Sequence, residues 1–442
     1  MRCRPLPFVV LLVGATHAHA GGVFWTDRGA SQLKRMNFDG SNLQTILLSG
    51  AVTSPGTNMR GLAVDAAHNR IFWADNGADQ LLRASLDGPG SVVLYQIAGG
   101  NSFPADVRID PVHEFFYWCD QSRNRIQRST LDGNQVTDVI TNAAPTGPYF
   151  MDLDLSAGKI YWGDFDAGSI YRASLDGSGR ETLLSGINKT RGVRVDPGGG
   201  MLYWINRDDK KVQRCPLSAF DKGTLSITNP SVQTLYSDLD TPHGLVLDIP
   251  ARKLYWADTG TNTGTGNGEK GVSRGDFDGS APLEVLATGV EPWDVDLDPR
   301  CHTYAEWRTR FFRKDAAPDQ TNPDADPDRD GLPNAIEYAC GLSPLHADQT
   351  GLPEAFLWRD STSDTVYPAL KFRRQAAAVD LTYYIQTSSD LRNWVGSPVN
   401  SQTTQIEVAP LGDGIEQATV RSLQILSGNT SQFLKLQVVL GP

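Results

Sequence analysis

Cysteine is scarce, with 5 in 442 residues, so a disulfide-dense mini-scaffold is excluded. Positive charge is in deficit: 40 Lys and Arg stand against 51 Asp and Glu, a net charge of −11. No tract of five basic residues occurs, which makes nucleic acid and anionic membrane poor partners. No run approaches the about 20 apolar residues of a membrane-crossing helix, so no membrane span is expected. Against these shortages stand 43 glycines and a hydrophobic fraction of 40%, ample for packed cores and too apolar for wholesale disorder. The length predicts two or three domains.

The first twenty residues read as an address. Arg2 and Arg4 precede the short apolar run Pro7 to Val13, and Ala18-His19-Ala20 supplies a small-x-small exit. A charged start, a short apolar stretch and such an exit are a secretory signal peptide, cut after Ala20. The mature chain is therefore expected outside the cell, secreted or associated with the cell surface.

From residue 21 the chain repeats itself. An aromatic-Trp pair recurs six times, at Trp25, Trp73, Trp118, Trp162, Trp204 and Trp256, in steps of 48, 45, 44, 42 and 52 residues. Two positions later stand Asp27, Asp75, Asp120, Asp164, Asn206 and Asp258; ten later, Arg35, Arg83, Arg128, Arg172 and Arg214. Asp39, Asp87, Asp132 and Asp176, each followed by Gly, come fourteen later. The last repeat keeps its Arg274 and Asp278-Gly279 behind an insertion at Thr261 to Gly268. Asp65, Asp110, Asp154, Asp196 and Asp248 lie eight before a Trp, ending short alternating strands. Four short strands per unit of this length predict an all-β propeller of six blades over residues 21–300. The chain begins at a second strand, Val23 to Asp27, and the segment ends at a lone first strand, Trp293 to Asp298. Their pairing closes the ring and removes its edges.

The motifs FWTD, FWAD, YWCD, YWGD, YWIN and YWAD, followed by LDG or FDG, resemble the low-density lipoprotein receptor class B repeat, the YWTD propeller. The fifth unit departs from it, with Asn206 and Leu217-Ser218-Ala219, so an irregular outer strand is expected there. Sixfold repetition suits architecture: the tryptophans should pack between blades, and the recurrent Asp and Arg should make interblade salt bridges and turn-closing hydrogen bonds.

Function is sought where the register is kept but the residue changes. Five before the first-strand aspartates stand Arg60, Ala105, Tyr149, Arg191, His243 and Trp293; four before, Gly61, Asp106, Phe150, Gly192, Gly244 and Asp294. Both sets fall where the innermost strands begin, at one mouth of the channel. Arg60, Asp106, Tyr149, Arg191, His243, Trp293 and Asp294 form the candidate ligand-binding ring, since aromatics and Arg make binding hot spots. The same aromatics could equally plug the channel. The resemblance implies that this face binds extracellular protein ligands; a glycan is the other partner considered. An alternative is a propeller hydrolase, lactonase or lyase with a channel-mouth metal. Only Glu291, Asp106 and Asp294 are acidic near that mouth, and His243 has no nucleophile at fixed spacing. A third reading is a structural component of a cell-surface matrix. The expectation is a monomeric, non-enzymatic binding protein.

Residues 301–352 form a linker of different composition. Tyr304, Trp307 and Phe311 fall at helical spacing. Asp326 to Glu337 then matches D-x-D-x-D-G-x-x-N-x-x-E, with calcium ligands expected from Asp326, Asp328, Asp330, the Leu332 carbonyl, Asn334 and Glu337. This loop resembles those of EF-hands, thrombospondin type 3 repeats and dockerins. Pro323 and Pro327 forbid a regular incoming helix, and Pro333 replaces the residue that pairs two hands, so a single structural calcium site is expected. Cys301 and Cys340 flank the loop and could form a disulfide outside the cell, whereas Cys119 and Cys215 read as buried thiols. Residues 353–442 alternate over Tyr367 to Arg373, Leu381 to Gln386, Ile415 to Ser422 and Phe433 to Leu440, a small β-sandwich. Tyr384 to Trp394 resembles a module found at the ends of many secreted bacterial proteins. Asn188 and Asn429 head glycosylation sequons, which act only in a eukaryotic secretory pathway.

Overall fold

The computed structural model describes residues 21–46, 58–86, 92–97, 100–141, 147–260, 270–347, 351–396, 403–425 and 432–441. The signal segment, the insertion at Thr261 to Gly268 and the Asn429 sequon lie outside the described residues. Each Trp repeat builds one antiparallel blade, and blades are numbered here by their Trp. Blades 2 to 6 start on the inner strands Met59–Asp65, Pro104–Asp110, Pro148–Asp154, Thr190–Asp196 and Pro242–Asp248. Blade 1 takes its inner strand, Pro292–Asp298, from the far end of the segment and pairs it with Gly22–Asp27, Trp25 opposite Val295. That closure leaves no open ring edge, as the sequence predicts.

All six motif tryptophans are at most 1% exposed. They sit between blades: Trp73 shares a cluster with Phe24 and Leu33 of blade 1, and Trp25 one with Tyr255 and Val272 of blade 6. The motif polar residues divide the labour differently from the expectation. The Asp after each Trp closes its own hairpin, as when Asp75 accepts from the N–H groups of Gly77 (2.9 Å) and Ala78 (3.1 Å). Among the described residues, three interblade links are carried by arginine on backbone carbonyls, and no salt bridge joins motif residues of two blades. Arg83 donates to the Leu131 oxygen (3.3 Å), Arg214 to Phe277 (2.8 Å) and Arg274 to Phe38 (3.0 Å). Each acceptor precedes the Asp-Gly of the next blade, which explains why both recur. In blade 5 the outer strand is delayed. A 3-10 turn at Leu217–Lys222 and the strand Leu225–Ser226 intervene, and that strand adds in parallel to the outer edge of blade 4.

The linker carries three helices: α1, Tyr304–Phe311; α2, Pro318–Thr321; and α3, Asn334–Cys340. Thr303 caps α1 by accepting from the Glu306 N–H at 3.2 Å. Its Trp307 and Phe311 bury against Ala251 of blade 6 and Tyr338 of α3. The C-terminal module is a sheet in the order Glu354–Arg359, Val366–Gln375, Ile415–Ser422, Thr403–Gly412, faced by the pair Leu381–Ser388 and Phe433–Leu440. Leu370, Phe372, Ala418 and Val420 of the first pack on Ile385, Leu434 and Leu436 of the second. Two strands escape the sequence reading, 354–359 and 403–412; both are edges, and Pro410 reads as a turn residue but sits at a bulge.

The possible Cys301–Cys340 bridge is not formed in this structure: both thiols are free and buried. Cys301 turns into the apolar cluster beneath α1, with its sulfur 3.6 Å from the Pro299 oxygen. Cys340 lies at the end of α3, near Arg373 of the C-terminal sheet. Burial pushes the two thiols up to about 12 and about 11.

Candidate functional site

The inner strands run from an upper mouth, where they begin, to a lower mouth at their terminal aspartates. In blades 2 to 6 the pairing of inner with second strand shifts register in the first half of the inner strand. In blade 1 the irregularity leaves Trp293 unpaired between Pro292 and Asp294. Bulges re-aim side chains. This is why two consecutive register positions, five and four before the terminal Asp, both reach the channel.

The structure brings the five-before set together. Trp293 lies centrally: its ring is 4.1 Å from that of His243 and 6.3 Å from that of Tyr149. The Arg60 guanidinium stacks 3.7 Å above the same indole, and that of Arg191 lies 3.7 Å from Tyr149 and 5.2 Å from Trp293. None of these side chains forms an exposed rim. Arg60, Tyr149, Arg191, His243 and Trp293 are 3–5% exposed, so the aromatics fill the channel. Burial, then the charges of Arg191, Arg207, Arg60 and Arg28, hold the His243 imidazole well below its ordinary value. Burial likewise lowers Arg60 and Arg191 to about 10.

Asp106 and Asp294 belong one layer deeper, in a charged girdle that sequence reasoning missed. Two positions further along the inner strands stand Arg108, Asp152, Arg194 and Asp296. Arg108 lies 3.1 Å from Asp106 and 3.8 Å from Asp294; Arg194 lies 3.8 Å and 3.6 Å from the same pair. The carboxylates accept the edge N–H groups of the next blade: Asp106 from Met151 (2.9 Å), Asp152 from Val195 (2.8 Å), Asp294 from Leu62 (3.1 Å) and Asp296 from Val64 (2.8 Å). The arginines donate to edge carbonyls of the preceding blade, Arg108 to Leu62 (2.9 Å) and Arg194 to Met151 (3.0 Å). The girdle thus satisfies backbone groups that the inner edge strands of blades 2, 4 and 5 leave open. Gly61 and Gly244 make it possible: a Cβ there would lie 2.4 Å from the Asp106 Cα and 2.6 Å from the Asp294 Cα. Burial raises all four carboxyls, Asp152 to about 7 and Asp296 to about 6. The signal was in the sequence: counting two back from each terminal Asp alternates charge with Ala63 and Val246.

The lower mouth is covered by the protein itself. Arg310 of α1 makes a buried two-pronged ion pair with Asp248, 2.7 Å on each branch, and donates to the Pro299 oxygen at 2.8 Å. The Gly412-Asp413 turn of the C-terminal module reaches the same place, Asp413 lying 3.8 Å from Arg310. Together with Asp65, Asp296 and Pro299 they line a half-open cavity of about 400 Å³.

In the linker loop, donor oxygens of Asp326, Asp328 and Asp330 lie within 4.8 Å of one another. Gly331, at φ +93°, makes the sharp turn, and its N–H donates to Asp326 at 3.1 Å. Glu337 is 1% exposed and its Oε2 has no hydrogen-bond partner. Oxygens of Asp326, Asp328 and Asn334 are likewise buried without partners. Burial, then the charges of Asp328, Asp330 and Asp326, push Glu337 up to about 8. The Asn334 amide nitrogen ties the loop to α2 through the Gln320 and Asn322 oxygens, both at 2.9 Å. The Leu332 N–H donates to Asp330 at 2.8 Å.

These features define a six-bladed β-propeller whose repeats resemble the YWTD motif, with a linker and a sandwich behind it. No family model matches the chain. It is 32% identical over 149 residues to "Low-density lipoprotein receptor-related protein 1" of Pyricularia oryzae, and 32% over 114 residues to "Low-density lipoprotein receptor-related protein 5" of Mus musculus. The matches take in 30% and 25% of this chain and span 46% and 6% of those relatives. A solved nidogen/laminin complex contains a chain of the same fold, at a TM-score of 0.51 and 17% identity, over 63% of this chain and 98% of that one.

Proposed function

We propose that the protein is an extracellular, non-enzymatic binding protein that docks a protein ligand on the upper mouth of its propeller. The observation that carries this reading is the asymmetry of the channel. The lower mouth is occupied by α1 and the C-terminal module, while the upper mouth carries a plug of stacked aromatics and arginines. Arg28 is exposed beside that plug, 5.5 Å from the Trp293 ring. Likeness to receptor-related proteins and to a propeller from a protein–protein complex supports the reading. Against a hydrolase or lyase, the place between Asp106 and Asp294 where a channel metal would sit is filled by the guanidiniums of Arg108 and Arg194. Secretion rests on the signal pattern of residues 1–20.

The test is cross-linking of the full chain to its native extracellular milieu, followed by measured affinity for each recovered protein. Charge reversal at Arg28 and Arg207 should weaken a true ligand by about tenfold, the scale of one or two lost interface contacts. Undiminished binding would move the site to the C-terminal module. Preference for a glycan over protein would replace the ligand class.

We further propose that the linker loop holds one calcium ion through Asp326, Asp328, Asp330, the Leu332 carbonyl, Asn334 and Glu337. The buried, partnerless Glu337 facing three aspartates is what a cation would satisfy. Calcium should raise the melting midpoint and protease resistance of the full chain, since a ligand of the folded form stabilises it. Asp328→Ala with Glu337→Ala should remove both effects. Identical melts in calcium and in chelator would refute the site.

A further inference from the structure

The upper mouth assembles positive charge without its counter-charge. Nε and Nη1 of both Arg60 and Arg191 are buried with no hydrogen-bond partner, as are the Trp293 Nε1 and the His243 Nδ1. The nearby carboxylates are already engaged: Glu291 with Lys270 and Asp166 with Lys189, each at 2.5 Å, and Asp208 with Arg207 at 2.6 Å, which leaves Arg60 and Arg191 without one. Arg28 and Arg207 add to the positive potential felt at His243. A buried cation without counter-ion or acceptor is strongly destabilising, and stacking on aromatic faces offsets only part of that. The lower mouth shows the contrast, for there the buried Arg310 has its carboxylate.

We propose that the upper mouth is an anion site for one carboxylate group, received between the guanidiniums of Arg60 and Arg191 with the Trp293 N–H as a neutral donor. Both guanidiniums lie within 5.2 Å of the centroid of the one indole ring, and the charge of Arg60 is felt at Arg191. A carboxylate fits better than sulfate or phosphate. It brings one charge and a planar head to a dry site walled by Tyr149, Phe165 and Trp293, where each further charge costs desolvation. The carboxylate can come from an acidic side chain of a docked protein or from a free small acid. The assignment rests on the reading of this mouth as the docking face.

The experiment is a thermal melt of the full chain in acetate, with ionic strength held constant by sodium chloride. About 100 mM acetate should raise the midpoint by about 2 °C over chloride, as for a weak ligand of the folded state. Arg60→Met and Arg191→Met should each abolish the shift. Should neither variant fold, arginine Nε–H resonances of the native protein should move saturably with acetate. N-acetylglutamate α-methylamide, with only a side-chain carboxylate, tests the source. Competition with acetate assigns the site to a protein side chain, whereas exclusion beside acetate binding assigns it to a free acid. Acetate acting no better than chloride, or worse than sulfate, overturns the inference. That result would leave the docking face standing, because charge reversal at Arg28 and Arg207 tests it separately.

Discussion

The two mouths of one channel are built from the same six strands and end in opposite electrostatic states. At the lower mouth, Arg310 enters from α1 and meets Asp248 in a buried, two-pronged ion pair. At the upper mouth, Arg60 and Arg191 are equally buried and lean on aromatic rings with unpartnered N–H groups. The lesson is that burial of charge means different things at the two ends. A charge that is paired inside the chain belongs to the scaffold and closes an interface. A charge left unpaired by the chain is where an outside group can supply what is missing.

The comparison presumes that the ring itself is rigid scaffold, and breaking the ring should have the largest effect. Trp118→Ala, at a fully buried position between blades, should cost about 3–5 kcal/mol in denaturant melts. Removing the paired arginine comes next. Arg310→Met strands Asp248 without its partner and should cost about 3 kcal/mol, with faster proteolysis between propeller and C-terminal module. The double change Arg310→Met with Asp248→Leu should recover part of that loss.

The girdle between the mouths should respond to pH. Asp152 and Asp296 titrate at about 7 and about 6 in the folded chain, above the ordinary 3.8. The folded state therefore holds these protons more tightly than the unfolded chain does. Their stabilising contribution is complete below about pH 4 and is lost as pH rises through 6 and 7. Between pH 6 and pH 8 the melts should fall by the equivalent of about 2 kcal/mol, and Asp152→Asn with Asp296→Asn should flatten the slope. A flat profile in the native chain would show that the girdle arginines keep all four carboxylates ionised.

The smallest effect should be the most telling. Arg191→Met removes a buried cation with no counter-ion, together with its stacking on Tyr149. It should raise stability, by about 1 kcal/mol, because relief of the unpaired buried charge outweighs the lost stacking. Equal losses for Arg191→Met and Arg310→Met would erase the distinction between the mouths.

Residue spacing alone determined a great deal here. Six aromatic-Trp pairs, with Asp and Arg at fixed offsets, settle the number of blades, the closing pairing and the burial of every motif tryptophan. They do so because a repeat must present the same contacts to each neighbour. The same spacing located the upper mouth, for register along an inner strand is simple counting. Other decisions needed the third dimension. Whether the ring residues line a rim or fill a plug depends on how far six side chains reach across one channel. The girdle of Arg108, Asp152, Arg194 and Asp296 takes its meaning from edge N–H and carbonyl groups of neighbouring blades, which no single repeat contains. The free thiols of Cys301 and Cys340 follow from the cluster under α1, not from their places either side of a loop. Most of all, only folding could show which mouth the protein covers with its own C-terminal third. That depends on contacts between residues far apart in the chain, Arg310 on Asp248 among them, and periodicity carries no record of them.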